Sequence, residues 1–219
     1  MKIYETKVEA GTKQWLKIPV DEECSLKAAA FCGSRPGKRL IVTAGVHGCE
    51  YIGILAVSRL IQELDPRQMK GEVVFLPIAN EGGFYKEIKQ LVPEDGVNLN
   101  RAFPGTEMGS RSAKIAAAVE TYLYPDADFL VDLHSGDIHE MVVPFAFFPV
   151  AAGETVEKKA AAAARAMSLS WRVASTAKNG LYSWAAQKGI PALLLERGGL
   201  GQNFGVVVVH RDSQMVEIA

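Results

Sequence analysis

The chain is poor in cysteine and has no long apolar run, and both absences narrow its class. Cys24, Cys32 and Cys49 are the three cysteines among 219 residues. They are too few and too scattered for a disulfide framework, so a reduced, cytoplasmic protein is expected. No apolar stretch approaches the roughly 20 residues needed to span a bilayer. The opening residues, MKIYETKVEAGTKQ, carry early acids and no apolar core, and are not read as a signal peptide. An excess of charge is missing too. Lys and Arg number 24 against 25 Asp and Glu, for a net charge of -1. That balance gives no electrostatic reason to expect nucleic acid or an anionic membrane as partner. The absence of G-x-S-x-G disfavours a serine hydrolase. The absence of G-x-x-x-x-G-K-[ST], and the wrong glycine spacing in GGLGQNFG, disfavour a nucleotide enzyme.

What is present is ordinary globular material, with 48% hydrophobic and 22% charged residues. The length suits one domain, residues 1–219, with an atypical short tail from about residue 200. Lys2 to Ala10 and Gln14 to Val20 alternate about Ala10-Gly11-Thr12 and predict a hairpin. Leu26 to Phe31 predicts another short strand. Arg39 to Val46 and Glu72 to Ile78 are continuous apolar runs, the pattern of strands buried on both faces. Tyr51 to Leu64 has helical apolar spacing and is stopped by Asp65-Pro66. Ser112 to Tyr124, Glu154 to Met167 and Tyr182 to Lys188 predict helices. Asp128 to His134, Met141 to Phe148, Trp171 to Ser175 and Pro191 to Leu195 predict strands. Between them, Asn80 to Ser110 reads as a long loop of the kind that tends to be functional. Strands alternating with helices predict an α/β fold, a mostly parallel, twisted, mixed sheet with helices on both faces. Reactive residues should then lie just beyond the carboxyl ends of strands. His47, Glu50, His134 and Glu196 all do.

His47 and Glu50 stand three apart where a strand opens into a helix, a spacing that can share one face of a turn. Gly48 and Cys49 leave room between them. His134 ends a separate strand. Two histidines and one carboxylate form a catalytic zinc set with a fourth position open, and imidazole favours zinc over magnesium. Asp132 lies two residues before His134, on the same strand face, and is open to two readings: a group that orients His134, or a plain hydrogen-bonded carboxylate. Cys49 is a further candidate ligand. His139, in a polar turn, and His210, near the end of the chain, are read as ordinary hydrogen-bonded histidines.

The order of the motifs carries more than any one of them. VHGCE follows a strand, and DGVNLNRAFPG, DLHSGD and GIPALLLERGG come after it. This series resembles the succinylglutamate desuccinylase/aspartoacylase family of the zinc carboxypeptidase-like superfamily, from about Leu40 to Gly199. The resemblance implies a carboxypeptidase-like fold and one zinc ion per chain, held by His47, Glu50 and His134. It implies that Asn100 and Arg101 grip a substrate carboxylate and that Glu196 is the general base. The chemistry suits each role. A guanidinium binds carboxylate with a two-pronged fork, zinc acidifies water and polarises a carbonyl, and a nearby carboxylate can take the water's proton and pass it to the leaving amine. Structural readings stand beside these: Arg101 as the partner of an acid that pins its loop, and Glu196 as a partner of Arg197 or Arg172.

Two departures from the family pattern stand out. Many relatives carry an arginine shortly before NLNR that steadies an oxyanion. This chain has Lys86-Glu87-Ile88-Lys89-Gln90-Leu91 there, which leaves Lys86, Lys89, or zinc with Arg101 for that task. Relatives also continue past the LLLERGG segment into a region that walls the pocket, whereas here Val206 to Val209 and a mixed tail follow. The leading expectation is a deacylase that cleaves the amide bond of a small N-acyl amino acid. A metallocarboxypeptidase acting on short peptides with a free carboxylate is the alternative enzyme, and a catalytically impaired metal- or ligand-binding domain is the alternative of another class. The Val206–Val209 run predicts a strand paired with a sheet edge, in its own domain or in a homo-oligomer.

Overall fold

The protein is described by a computed structural model covering residues 1–201. Val206 to Val209 and His210 lie outside the described residues. The chain opens with a two-residue-per-strand hairpin, β1 (Lys2–Ile3) and β2 (Thr6–Lys7). The expected hairpin about Gly11 does not form. Tyr4, at φ 51°, turns the chain back early, and Gly11, at φ 73°, leads it into β3 (Thr12–Pro19). That strand pairs antiparallel with β4 (Ser25–Cys32) instead.

The elements that carry the site follow. They are β5 (Arg35–Ala44), α1 (Tyr51–Glu63) and β6 (Lys70–Leu76), then α2 (Glu81–Tyr85) and the short hairpin β7 (Leu91–Val92) and β8 (Val97–Asn98). Next come α3 (Arg111–Tyr122), β9 (Phe129–His134), β10 (Met141–Pro149), α4 (Glu154–Ala166), β11 (Trp171–Ser175), α5 (Leu181–Gln187) and β12 (Ala192–Gly199). An eight-stranded sheet runs β11-β10-β12-β9-β5-β6-β4-β3. Its centre, β12-β9-β5-β6, is parallel throughout. The flanks introduce antiparallel pairs, β10 with β12 and β4 with β6 and β3.

Parallel strands need helical crossovers, and those helices cover both faces of the sheet. On one face Leu130, Ile41 and Leu194 pack with Ile115 and Val119 of α3 and with Leu181 and Ala185 of α5. On the other, Leu133, Val42, Leu193 and Leu195 pack with Ile54, Val57 and Leu60 of α1 and with Ala160 and Ala164 of α4. The alanine-rich α4 buries Val156, Ala160 and Ala164, spaced four apart along one stripe. Gly53 lets α1 lie directly on β9: a Cβ there would meet the Leu133 carbonyl oxygen at 2.8 Å.

The segment from Asn80 to Ser110 is more ordered than a loop. It holds α2, the β7–β8 hairpin and a 3-10 turn at Leu99–Arg101. Side chains supply its order. Asn80 Oδ1 accepts the Gly83 N–H at 2.9 Å, capping α2, while its amide donates to the Leu91 carbonyl at 3.1 Å. Asp95 accepts from Val97 N–H, and from both the N–H and the hydroxyl of Ser112. Elements this short carry no periodic signal.

Candidate metal centre

Parallel strands β5 and β9 lie side by side, with Thr43 opposite Asp132 and Ala44 opposite Leu133. Their carboxyl ends therefore release His47 and His134 at the same rim of the sheet. Glu50, immediately before α1, reaches between them. Its Oε1 lies 2.6 Å from His47 Nδ1 and its Oε2 lies 2.8 Å from His134 Nδ1. The three side chains are buried, and one ligand atom from each falls within 4.8 Å of the others. Gly48 makes the turn possible. A Cβ there would stand 2.3 Å from the backbone carbon of Gly83 in α2.

Two residues behind, Asp132 completes the support of His134. Its Oδ2 is 3.0 Å from His134 Nε2, and its Oδ1 accepts the Thr43 hydroxyl at 2.6 Å. A carboxylate can only accept here, so Nε2 carries a hydrogen; without a metal Nδ1 likewise donates to Glu50, and a bound metal ion would take the place of that second proton. Burial opposes a charge on His134, but Glu50 and Asp132 outweigh it and raise its pKa well above the ordinary value. Burial likewise works against ionised Glu50, yet His134 and His47 hold it down at about 2. The pocket thus presents a buried carboxylate and two imidazoles that require a cation among them, supplied as protons or as a metal ion. A borderline divalent ion such as zinc fits this donor set, and it would displace protons on binding.

Glu196 stands next to this group. It pairs in register with His134 on one side and with Phe145 of β10 on the other. Burial is the main force raising its pKa, to about 7; Glu50, Asp132 and Glu140 add to it, and His134 opposes it. Among the described residues Glu196 has no salt bridge. Arg172, one of its candidate partners, instead donates to the Ala164 and Met167 carbonyls at the end of α4.

Asn100 and Arg101 occupy the 3-10 turn after β8. Asn100 is buried, and its Oδ1 accepts the Leu181 N–H at 3.0 Å, capping α5. The same contact turns its NH2 group away from Leu181. Arg101 is exposed; one guanidinium nitrogen donates to the Asn100 carbonyl at 2.7 Å, and no acid pairs with it among the described residues. Lys89 pairs with Asp137 at 2.8 Å, tying the segment before β7 to the turn after β9. Lys86 is exposed at the end of α2. The Cys49 thiol faces the Tyr51 hydroxyl at 3.9 Å and stands outside the metal group.

Sequence reasoning passed over Thr43 and Asn98. Thr43 carried a signal, a hydroxyl inside an apolar strand that must find a partner when buried. Asn98 sat inside the NLNR motif.

Comparison with known proteins gives the family. The description Succinylglutamate desuccinylase/Aspartoacylase catalytic domain matches residues 36–217. The chain is 35% identical over 137 residues to an N-alpha-acetyl-L-2,4-diaminobutyric acid deacetylase of Halomonas elongata, a match covering 60% of this chain and 40% of that protein. Among solved structures, a succinylglutamate desuccinylase/aspartoacylase from Rhodobacter sphaeroides superposes with a TM-score of 0.77 at 26% identity. That match covers 93% of this chain and 63% of the other. The product-bound ectoine utilization protein EutE (DoeB) of Ruegeria pomeroyi gives 0.74 at 26% identity, covering 88% of this chain and 61% of the other. The chain therefore spans less than two thirds of each of these relatives. Both structural matches share its fold, and the family match covers most of the chain: the chain belongs to the succinylglutamate desuccinylase/aspartoacylase family.

Proposed function

We propose that the chain is a zinc-dependent deacylase that hydrolyses the amide bond of a small N-acyl amino acid. One observation carries the reading: two buried imidazoles and a carboxylate converge within 4.8 Å, beside a desolvated glutamate on the neighbouring strand. His47 Nδ1, His134 Nδ1 and Glu50 would hold one zinc ion. When bound, zinc supplies Lewis acidity, acidifying water and drawing electron density from the amide carbonyl.

The remaining work falls to the chain's own groups. Glu196 accepts a proton from the attacking water and delivers it to the amide nitrogen as the C–N bond breaks, releasing a carboxylic acid and an amine. Its raised pKa suits both halves of that transfer, since a carboxyl near 7 takes and returns a proton at neutral pH. Phe145 of β10 lies opposite Glu196 in register, and burial is the main cause of the raised pKa. Arg101, with no acid on it, offers its fork to the substrate's α-carboxylate, and the Asn100 NH2 adds a donor. These assignments rest on the geometry and the family pattern together. The three free cysteines suit a reducing compartment, and the cytoplasm is the proposed location. No helix among the described residues is long and apolar enough to cross a membrane.

The deciding experiment combines metal analysis with a substrate screen. Purified chain should carry about one zinc and release amine from N-acetyl amino acids, N-acetyl-L-2,4-diaminobutyrate among them. Chelation should stop the release and zinc should restore it. Trimming of peptide C-termini without deacylation would make the chain a carboxypeptidase. Stoichiometric binding without turnover would make it a binding domain.

A further inference from the structure

His47 Nε2, on the side of the ring away from Glu50, lies 3.1 Å from Asn98 Oδ1. The same oxygen receives the backbone N–H of Asn100 at 2.8 Å. This second contact fixes the chemistry of the first. A backbone N–H can only donate, so the Asn98 atom facing it is the carbonyl oxygen and not the NH2. An oxygen with no hydrogen then faces His47, so His47 Nε2 carries a hydrogen. Its Nδ1 faces Glu50 Oε1 at 2.6 Å, a contact that needs a cation between the two atoms, a proton or the proposed metal ion.

We infer that Asn98 is a positioning residue that couples the metal centre to the carboxylate clamp through a single oxygen. The inference rests on the zinc reading of His47, Glu50 and His134. Asn98 closes the β7–β8 hairpin opposite Leu91 and begins the 3-10 turn that carries Asn100 and Arg101. From there the contacts continue, since Asn100 Oδ1 holds the first turn of α5 through Leu181 N–H. Gly180 allows that approach, because a Cβ there would meet Asn100 Oδ1 at 2.4 Å. One connected set of hydrogen bonds therefore runs from a metal ligand to the turn bearing both clamp residues. The two histidines are supported differently. His134 leans on the carboxylate Asp132, and His47 on a neutral amide. The amide leaves His47 the less electron-rich ligand and spares the pocket another buried negative charge.

Groups in this position, one bond behind a metal ligand, typically alter metal affinity 10–100-fold on removal. The test measures zinc affinity by chelator competition, together with the visible spectrum of the cobalt-substituted protein and the melting temperature of the metal-free protein. Asn98→Ala should weaken zinc binding about 10–100-fold and change the cobalt spectrum. Asn98→Asp, which retains an acceptor for both N–H groups, should restore zinc affinity to within a few-fold of the parent. His47→Ala serves as reference and should abolish high-affinity zinc. Unchanged zinc affinity in Asn98→Ala, with affinity lost in His47→Ala, overturns the role of Asn98 and leaves the metal centre standing. Equal losses in the Ala and Asp variants overturn it as well. Zinc retained in His47→Ala removes the metal reading and the inference together.

Discussion

Glu196 and His134 lie opposite each other where the parallel pairing of β12 with β9 ends. The register places a proposed base beside a proposed ligand without either side chain having to reach. It also explains why Glu196 is hard to ionise, since it shares the rim with Glu50 and Asp132 and is sheltered by the sheet.

The first prediction separates binding from chemistry. Glu196→Gln keeps size and shape and removes the proton acceptor. Zinc content should survive, while turnover of an N-acetyl amino acid should fall roughly 10²–10⁴-fold. Steady-state rates with metal analysis on the same preparation check it. Unchanged turnover would return Glu196 to a structural role.

The same residue should give the metal-free protein a pH-dependent stability. Its carboxyl titrates at about 7 in the fold against an ordinary 4.5. A carboxyl whose folded pKa is raised contributes stability that is fully present below about pH 4.5 and is lost as pH rises through 7. Full loss of a shift that large corresponds to about 3 kcal/mol. Urea unfolding in chelator at pH 5 and pH 8 should therefore show the parent losing more stability than Glu196→Gln across that window. Parallel losses would mean that Glu196 is not desolvated in solution.

Much of this site was legible in the sequence because it sits where the fold class demands. Apolar runs marked β5, β9 and β12, with His47 and His134 just after or at the ends of the first two; Glu196, expected just past a strand ending at Leu195, instead lies within β12, which runs on to Gly199. The Asn80 to Ser110 segment was opaque for a physical reason. Its α2, β7 and β8 are held by side-chain caps at Asn80 and Asp95, not by apolar periodicity. The first hairpin was misplaced for a similar reason: alternation reports that a segment is extended, not which strand it pairs with. Asn98 was hidden by its role, since a spacing pattern does not reveal which oxygen receives two N–H groups.

Removing a metal ligand should have a larger effect than removing its support. His134→Ala and His47→Ala should each bring zinc content close to zero, because a three-ligand centre loses most of its affinity with one ligand gone. Elemental analysis after dialysis reads this directly. Full zinc in both variants would sink the centre.

The ligand turn should be intolerant of any side chain at its second position. Gly48→Ala puts a Cβ 2.3 Å from the Gly83 backbone, where neither backbone can yield freely. Overpacking of this kind costs about 1–3 kcal/mol. Because the displaced segments bear His47 and α2, zinc affinity should fall along with the melting temperature. A variant that melts and binds zinc like the parent would show that the turn has slack.

Arg101 gives the sharpest test of substrate class. It is exposed, it donates to the Asn100 carbonyl, and no acid among the described residues neutralises it. An arginine that pins a loop normally does so through an acid, so the loop-pinning role loses its partner here. We propose that this open fork, three residues along the turn from Asn98, takes a free carboxylate of the substrate. Arg101→Ala should then weaken kcat/KM for N-acetyl amino acids by about 2 kcal/mol, some 30-fold, as expected for a lost charge-assisted bond. The methyl esters of the same compounds lack the charge that Arg101 would hold, so their kcat/KM should change only a few-fold. Arg101→Lys keeps the charge without the fork and should fall between the two, which distinguishes geometry from simple attraction. If acids and esters lose activity equally in Arg101→Ala, the residue holds the turn and not the substrate.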